Sequence, residues 1–175
     1  NYENMDTTLK KNSIDLGVKL GTLLFVITTI IYITDIKLFT NFSVILAYMI
    51  PALGFSIYSV FSARKLQNDI ISFKEAFTAY FLCIAIGYLI VTFGNIVIFK
   101  IIDPAAADLI HEEIMVSSKV MMENFGATSE MISEAMNEMQ NNHSFSYMAI
   151  FQNYANALLR NAIFGLLVAV VMKKS

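Results

Sequence analysis

Four apolar blocks divide the chain: Leu16 to Ile33, Phe42 to Phe61, Ala76 to Phe99 and Tyr147 to Met172. Each has about the length a helix needs to cross a membrane, since a rise of 1.5 Å per residue requires roughly 20 apolar residues for a hydrocarbon core about 30 Å thick. The third block holds no charged residue. The first holds Lys19 near its start, with Asp15 four positions earlier, so the lysine can pair along the helix while its stem reaches for the headgroups. The pattern predicts an all-α membrane protein, one domain over residues 1–175, with four transmembrane helices at about 16–33, 42–61, 76–99 and 147–172.

The stretch between the third and fourth blocks is polar and carries its own helix punctuation. Asp103 before Pro104 is an N-cap and first-turn pair, Gly126 is a stop, and Thr128 with Glu130 marks a second start. Ile110, Ile114, Met121 and Phe125 recur at helical spacing; then Met131, Ile132, Ala135, Met136 and Met139 form a stripe opposite Glu130, Glu134 and Glu138. An extramembrane helical hairpin is expected over about residues 104–142, its Met stripe turned to the embedded bundle or to a partner. Asn141 to Ser144 read as a linker into the fourth span.

Composition narrows the class. Hydrophobic residues make up 57% and charged residues 15%, with a mean hydropathy of +0.61, against about 45–50% and 25% in soluble domains, which excludes a soluble enzyme core. A net charge of -2 offers no basic surface for nucleic acid. Lys10, Lys11, Arg64, Lys65, Lys74, Lys173 and Lys174 fall on one side of the four spans and only Lys37, Lys100 and Lys119 on the other. Positive residues stay cytoplasmic, so both termini are expected inside and residues 100–146 outside. No small-residue cleavage pattern follows the first block, which is therefore expected to be a retained helix.

Candidate chemistry is sparse. Cys83, His111 and His143 match no metal-ligand spacing, and HEEIM at His111 has Met115 where a zinc protease requires its second histidine. No phosphate loop, nucleophile elbow or paired intramembrane aspartates occur, so no catalytic residue, metal or cofactor is expected. Arg160 is the sharpest residue, because a charge at a span's centre costs about 2.5–3.5 kcal/mol on insertion scales and must find protein, water or a partner. Asn153 and Asn156 precede it on one stripe, Asn95 stands at a comparable depth on the third span, and Asp103 and Asp35 are candidate ion partners. Two readings stay open: a polar clamp between spans three and four, or a site for an anionic headgroup or lipid phosphate, which a guanidinium grips in a fork.

Gly17 and Gly21, and Ala79, Cys83 and Gly87, are small residues at four-residue spacing that let membrane helices approach, within one bundle or at a homo-oligomer seam. Pro51 removes the helical bond to the carbonyl of Ala47 and gives a static kink or a hinge. Seven of the ten Met residues fall between Met115 and Met148, a concentration suited to irregular packing or to an adaptable contact surface.

KKNSIDLGVKLG at the first span, ARKLQNDIISFKEAF leading into the third, IFKIIDP closing it, NFGATSEMISEAMNEM in the insertion and a fourth span ending in KK occur in an order and spacing that resemble a family. It is the set of small Bacteroidota integral-membrane proteins catalogued as domain of unknown function 4199, and the resemblance covers nearly the whole chain. It implies four spans with a helical insertion, a bacterial inner-membrane location and no established activity; a polyprenyl-phosphate glycosyltransferase as partner is a further expectation from the resemblance. The leading functional expectation is a non-enzymatic accessory or scaffold subunit of a membrane complex, in contact with membrane lipids and with a membrane-protein partner or further copies of itself. The alternative is a carrier or flippase component for a polyprenyl-phosphate-linked lipid.

Overall fold

The computed structural model describes residues 2–174, with side chains from Thr7 onward. The helices are α1 (Tyr2–Thr34), α2 (Phe42–Leu66), α3 (Phe73–Ile96), α4 (Pro104–Asn124), α5 (Ser129–Asn141) and α6 (Tyr147–Met172). Four stretches among the described residues are long and apolar enough to cross a membrane: Thr7–Thr34, Phe42–Leu66, Phe73–Ile102 and Tyr147–Met172. The third includes a π-helical turn, Val97–Ile102, that continues α3. The expected four-span architecture with a helical hairpin is present, and the first three helices run beyond the apolar blocks because polar residues continue them outside the greasy stretch.

α3 is the central helix and touches α1, α2 and α6. Ser72 and Glu75 start it with a reciprocal capping box, which satisfies backbone donors that the helix cannot. Its buried positions, Ala76, Ala79, Tyr80, Cys83, Ile84, Gly87 and Val91, repeat at helical spacing. Along α1 the buried set is Leu9, Ser13, Leu16, Leu20, Leu24, Thr28 and Ile31. The hydroxyls of Ser13 and Thr28 donate back to the carbonyls of Leu9 and Leu24, so these polar residues enter the interior already paired. Ser59 on α2 instead donates across to the Ala79 carbonyl at 2.9 Å.

The two sets of small residues singled out in the sequence meet each other. A Cβ on Gly17 would lie 2.8 Å from the Cys83 carbonyl oxygen, and one on Gly21 2.7 Å from the Ile90 Cβ and 2.8 Å from the Gly87 oxygen. α1 and α3 therefore run backbone against backbone, in the arrangement that small residues permit. α2 continues as α-helix through Pro51 from Phe42 to Leu66. α6 is the least embedded of the four, with only Gly165 and Ala169 fully buried, and it meets α3 far more extensively than α2. Its last residues are tied by a two-way backbone bridge between Ile71 and Lys174.

One end of the bundle carries the turn between α1 and α2 and the α4–α5 insertion; it is called here the insertion end. α4 begins as the sequence predicts, with the Asp103 carboxylate accepting from the Ala106 amide and Pro104 in the first turn. Thr128 caps α5, and Gly126, at φ +76°, takes the left-handed conformation that lets α4 stop. Ala106, Ala107 and Ile110 bury against Ile98 and Phe99 of the π-turn. α5 meets α4 alone among the described elements, so of the two expected destinations of its Met stripe, the embedded bundle or a partner, the embedded bundle is corrected. A connection of four residues, Phe125 to Thr128, folds α5 back along α4, and no residue of α5 is fully buried.

Candidate functional site

Because α6 is fastened to α3 and barely meets α2, the wedge between α2 and α6 stays open. Two cavities occupy it, of about 350 and 400 Å³, and Tyr48, Tyr88 and Arg160 line both. The first runs toward the insertion end past Thr92, Asn95, Asn153 and Ala157, and ends under Ile114, Ser144 and Phe145. The second continues between Met49, Ala52, Asn161 and Phe164. Together they make one apolar cleft with a band of polar atoms across it.

Arg160 stands in the middle of α6, about 20 Å along the axis from Tyr147 at 1.5 Å per residue. Helical side chains lean toward the helix N-terminus, so its stem rises toward the insertion end. Arg160 makes no hydrogen bond or ion pair among the described residues, and no Asp or Glu lines either cavity. Both acids named from the sequence are engaged elsewhere: Asp103 caps α4 and accepts from the Tyr32 hydroxyl at 2.8 Å, and Asp35 caps the short helical turn Ile36–Thr40. The positive charge is thus left uncompensated by the chain.

Of the sequence-named partners, Asn95 and Asn153 line the cleft with Arg160. Asn95 sits seven residues from the end of the π-turn, nearer the insertion end than the Arg160 backbone, and its Oδ1 is buried without a hydrogen-bond partner. Asn156 is exposed on α6 and lines neither cavity. Asn161, next to Arg160 in sequence, enters the second cavity beside it; its Nδ2 donates to the Ala157 carbonyl at 2.9 Å and reaches the Tyr88 hydroxyl at 3.5 Å. Neighbours on a helix differ by about 100°, and a wedge-shaped cleft is wide enough to receive both. Gly17, Gly21, Ala79, Cys83 and Gly87 belong to the closed side of the bundle and contribute nothing to this space, and Pro51 lies on α2 outside the lining.

Sequence reasoning missed Tyr48 and Tyr88, the aromatic floor on either side of Arg160. Tyr48 is fixed by a short hydrogen bond to Thr28, which ties α1 to α2 at this level. Their only signal was a hydroxyl in an otherwise apolar span. It also missed the roof. Phe145 packs on Phe99 with ring centroids 5.0 Å apart, and Ser144 is held by His111, whose Nδ1 lies 2.9 Å from the Ser144 hydroxyl and 3.2 Å from its amide.

An apolar groove with tyrosine hydroxyls, amides and one free guanidinium can bind and orient an anion attached to a hydrocarbon; it has no nucleophile paired with a base. No group of three or more His, Cys, Asp or Glu side chains among the described residues could hold a metal ion. In comparisons with known proteins, the model of the family described as protein of unknown function (DUF4199) matches residues 15–174. No curated protein and no solved structure matches the chain.

Proposed function

The chain belongs to the DUF4199 family, whose activity is unknown, and from its site we propose that it binds the phosphate-bearing head of a membrane amphiphile at Arg160 without transforming it. The observation that supports this reading is the uncompensated guanidinium in a cleft bounded by α2, α3 and α6. Arg recognises phosphate through a planar fork of donors, and Asn95 and Asn153, both with donors to spare, line the same cavity. The amphiphile's tail lies along Phe164, Leu53 and Ala52, side chains that match hydrocarbon and not water. The protein resides in the bacterial inner membrane with both termini cytoplasmic, so the mouth under Ser144 faces the outer leaflet.

Thermal unfolding in a neutral detergent tests it. Added phosphatidylglycerol should raise the melting temperature of the wild type more than phosphatidylcholine does, since a ligand that binds the folded form stabilises it in proportion to its occupancy. Arg160→Ala should abolish the difference and Arg160→Lys should keep part of it. Equal shifts in wild type and Arg160→Ala would overturn the reading.

A second reading, an accessory subunit, has one observation in its favour. Gln152 and Asn156 lie exposed on α6, outside the cleft, where a polar side chain within the bilayer calls for a second helix. A stable protein companion after mild extraction, lost on Asn156→Leu, would support it. Orientation is checked separately in a Cys83→Ala background: an impermeant maleimide on spheroplasts should label Lys119→Cys and spare Lys74→Cys, both exposed positions.

A further inference from the structure

Two histidines far apart in sequence stack at the insertion end, His111 of α4 on His143 of the linker, with ring centroids 4.3 Å apart and planes inclined by 31°. Their hydrogen bonds fix which nitrogen carries the proton. The Ser144 amide reaches His111 Nδ1 at 3.2 Å and the Phe145 amide reaches His143 Nδ1 at 3.1 Å. A backbone N–H can only donate, so both Nδ1 atoms are acceptors and carry no proton. His143 Nε2, 3.0 Å from the Asp108 carboxylate, is then the protonated nitrogen of its ring. Both rings are neutral in this arrangement, and two successive amides of the linker hang on their lone pairs.

Those amides belong to Ser144 and Phe145, which roof the first cavity. We propose that the stacked His111–His143 pair is a proton-released latch: neutral rings hold residues 144 and 145 over the Arg160 cleft, and protonation lets them go and opens its mouth. A proton on either Nδ1 removes the acceptor and sets N–H against N–H, and two charged rings cannot remain stacked. The gating role rests on the reading of the cleft as an anionic-amphiphile site; the latch itself does not.

The surroundings set the direction. Burial and then the neighbouring His143 push the His111 pKa below the ordinary histidine value, while Asp108, the backbone of Met139 at the end of α5, and Glu112 pull the other way. Among the described residues no other charged group acts on the ring from α5 or the linker. With its value lowered in the latched state, His111 binds fewer protons latched than released. Latching is therefore fully favoured above the ordinary histidine pKa of about 6.5 and weakens as pH falls below it toward the depressed value.

Hydrogen exchange on the full chain in phosphatidylcholine nanodiscs tests the latch without any anionic lipid. At about pH 7.5 the Ser144 and Phe145 amides should be protected; at about pH 5, across the histidine range, their protection corrected for intrinsic rate should be lost progressively. The double variant His111→Asn with His143→Asn, which keeps an acceptor oxygen near each Nδ1 position and cannot titrate, should lose that pH dependence. His143→Asn alone, at a half-buried site, should retain part of it. Protection that is indifferent to pH in the wild type, or that falls equally in the double variant, overturns the latch. A second arm follows exchange of phosphatidylglycerol, whose phosphodiester stays charged throughout. Faster exchange at the lower pH in wild type only supports gating, and unchanged exchange over an opened latch overturns it. If phosphatidylglycerol fails to bind at both values, the amphiphile reading and the gating fall together, and the amide result still decides the latch.

Discussion

The α1–α3 seam and the α2–α6 wedge lie on two sides of the same bundle and solve opposite problems. At the seam, glycines stand so close to the opposing backbone that a single added carbon would overlap it. At the wedge, Tyr48, Tyr88, Arg160 and Phe164 face one another and leave two cavities. Lipid tails are as apolar as leucine, so hydrophobicity alone does not hold membrane helices together and fit decides where they close. Small side chains shut one side, large amphipathic ones keep the other apart, and α3 belongs to both because its glycine face turns to α1 while Tyr88 turns to α6.

The seam is the place to break the fold. Gly21→Leu drives a side chain into Ile90 and the Gly87 carbonyl and should cost about 3 kcal/mol or more, the upper end of overpacking, read as a lower midpoint in a dodecyl sulfate titration. Thr28→Val, which removes the tie between α1 and Tyr48 at the cleft floor, should cost about 0.6–1.7 kcal/mol in the same titration, the range of interhelical hydrogen bonds. Gly54→Ala sharpens the contrast from the other direction: nothing lies within 4 Å of the added carbon, so the variant should gain up to about 0.8 kcal/mol of helix propensity. The smallest expected change belongs to Arg160→Leu in lipid-free detergent. A guanidinium with no hydrogen bond or ion pair among the described residues has little to lose on replacement, and the midpoint should stay within about 0.5 kcal/mol of wild type. A large loss there would show that the wedge, like the seam, is held by its side chains.

Legibility followed the range of the interactions. The spans were readable because hydropathy is a sum over neighbours, and Asp103, Thr128 and Gly126 were readable because capping is settled within four residues. Gly17, Gly21 and Gly87 announced close approach, though not that they would approach one another. That the α5 stripe would not reach the embedded bundle was not legible, because the position of α5 is decided by a short connection and not by the stripe. The π-turn sits in a β-branched run, VIFKII, that reads equally well as ordinary helix. His111 and His143 were invisible as a pair: one stood in a broken protease motif, the other in a linker, and only the fold of the hairpin stacks them. The cleft was half legible, since Arg160 demanded a partner while the tyrosines around it looked like packing.

The bridge between Ile71 and Lys174 gives α6 a second anchor. At its other end the helix is met by Lys100, whose ammonium lies 5.6 Å from the centre of the Tyr147 ring. Between those two ends α6 is held along α3, where the Tyr154 hydroxyl donates to the Ala85 carbonyl at 3.2 Å, Asn161 reaches the Tyr88 hydroxyl and Gly165 lies against the Tyr80 ring. The helix is therefore sewn down one flank only, and its opposite flank, with Arg160 at mid-length, is the edge of the bundle that no neighbouring helix closes.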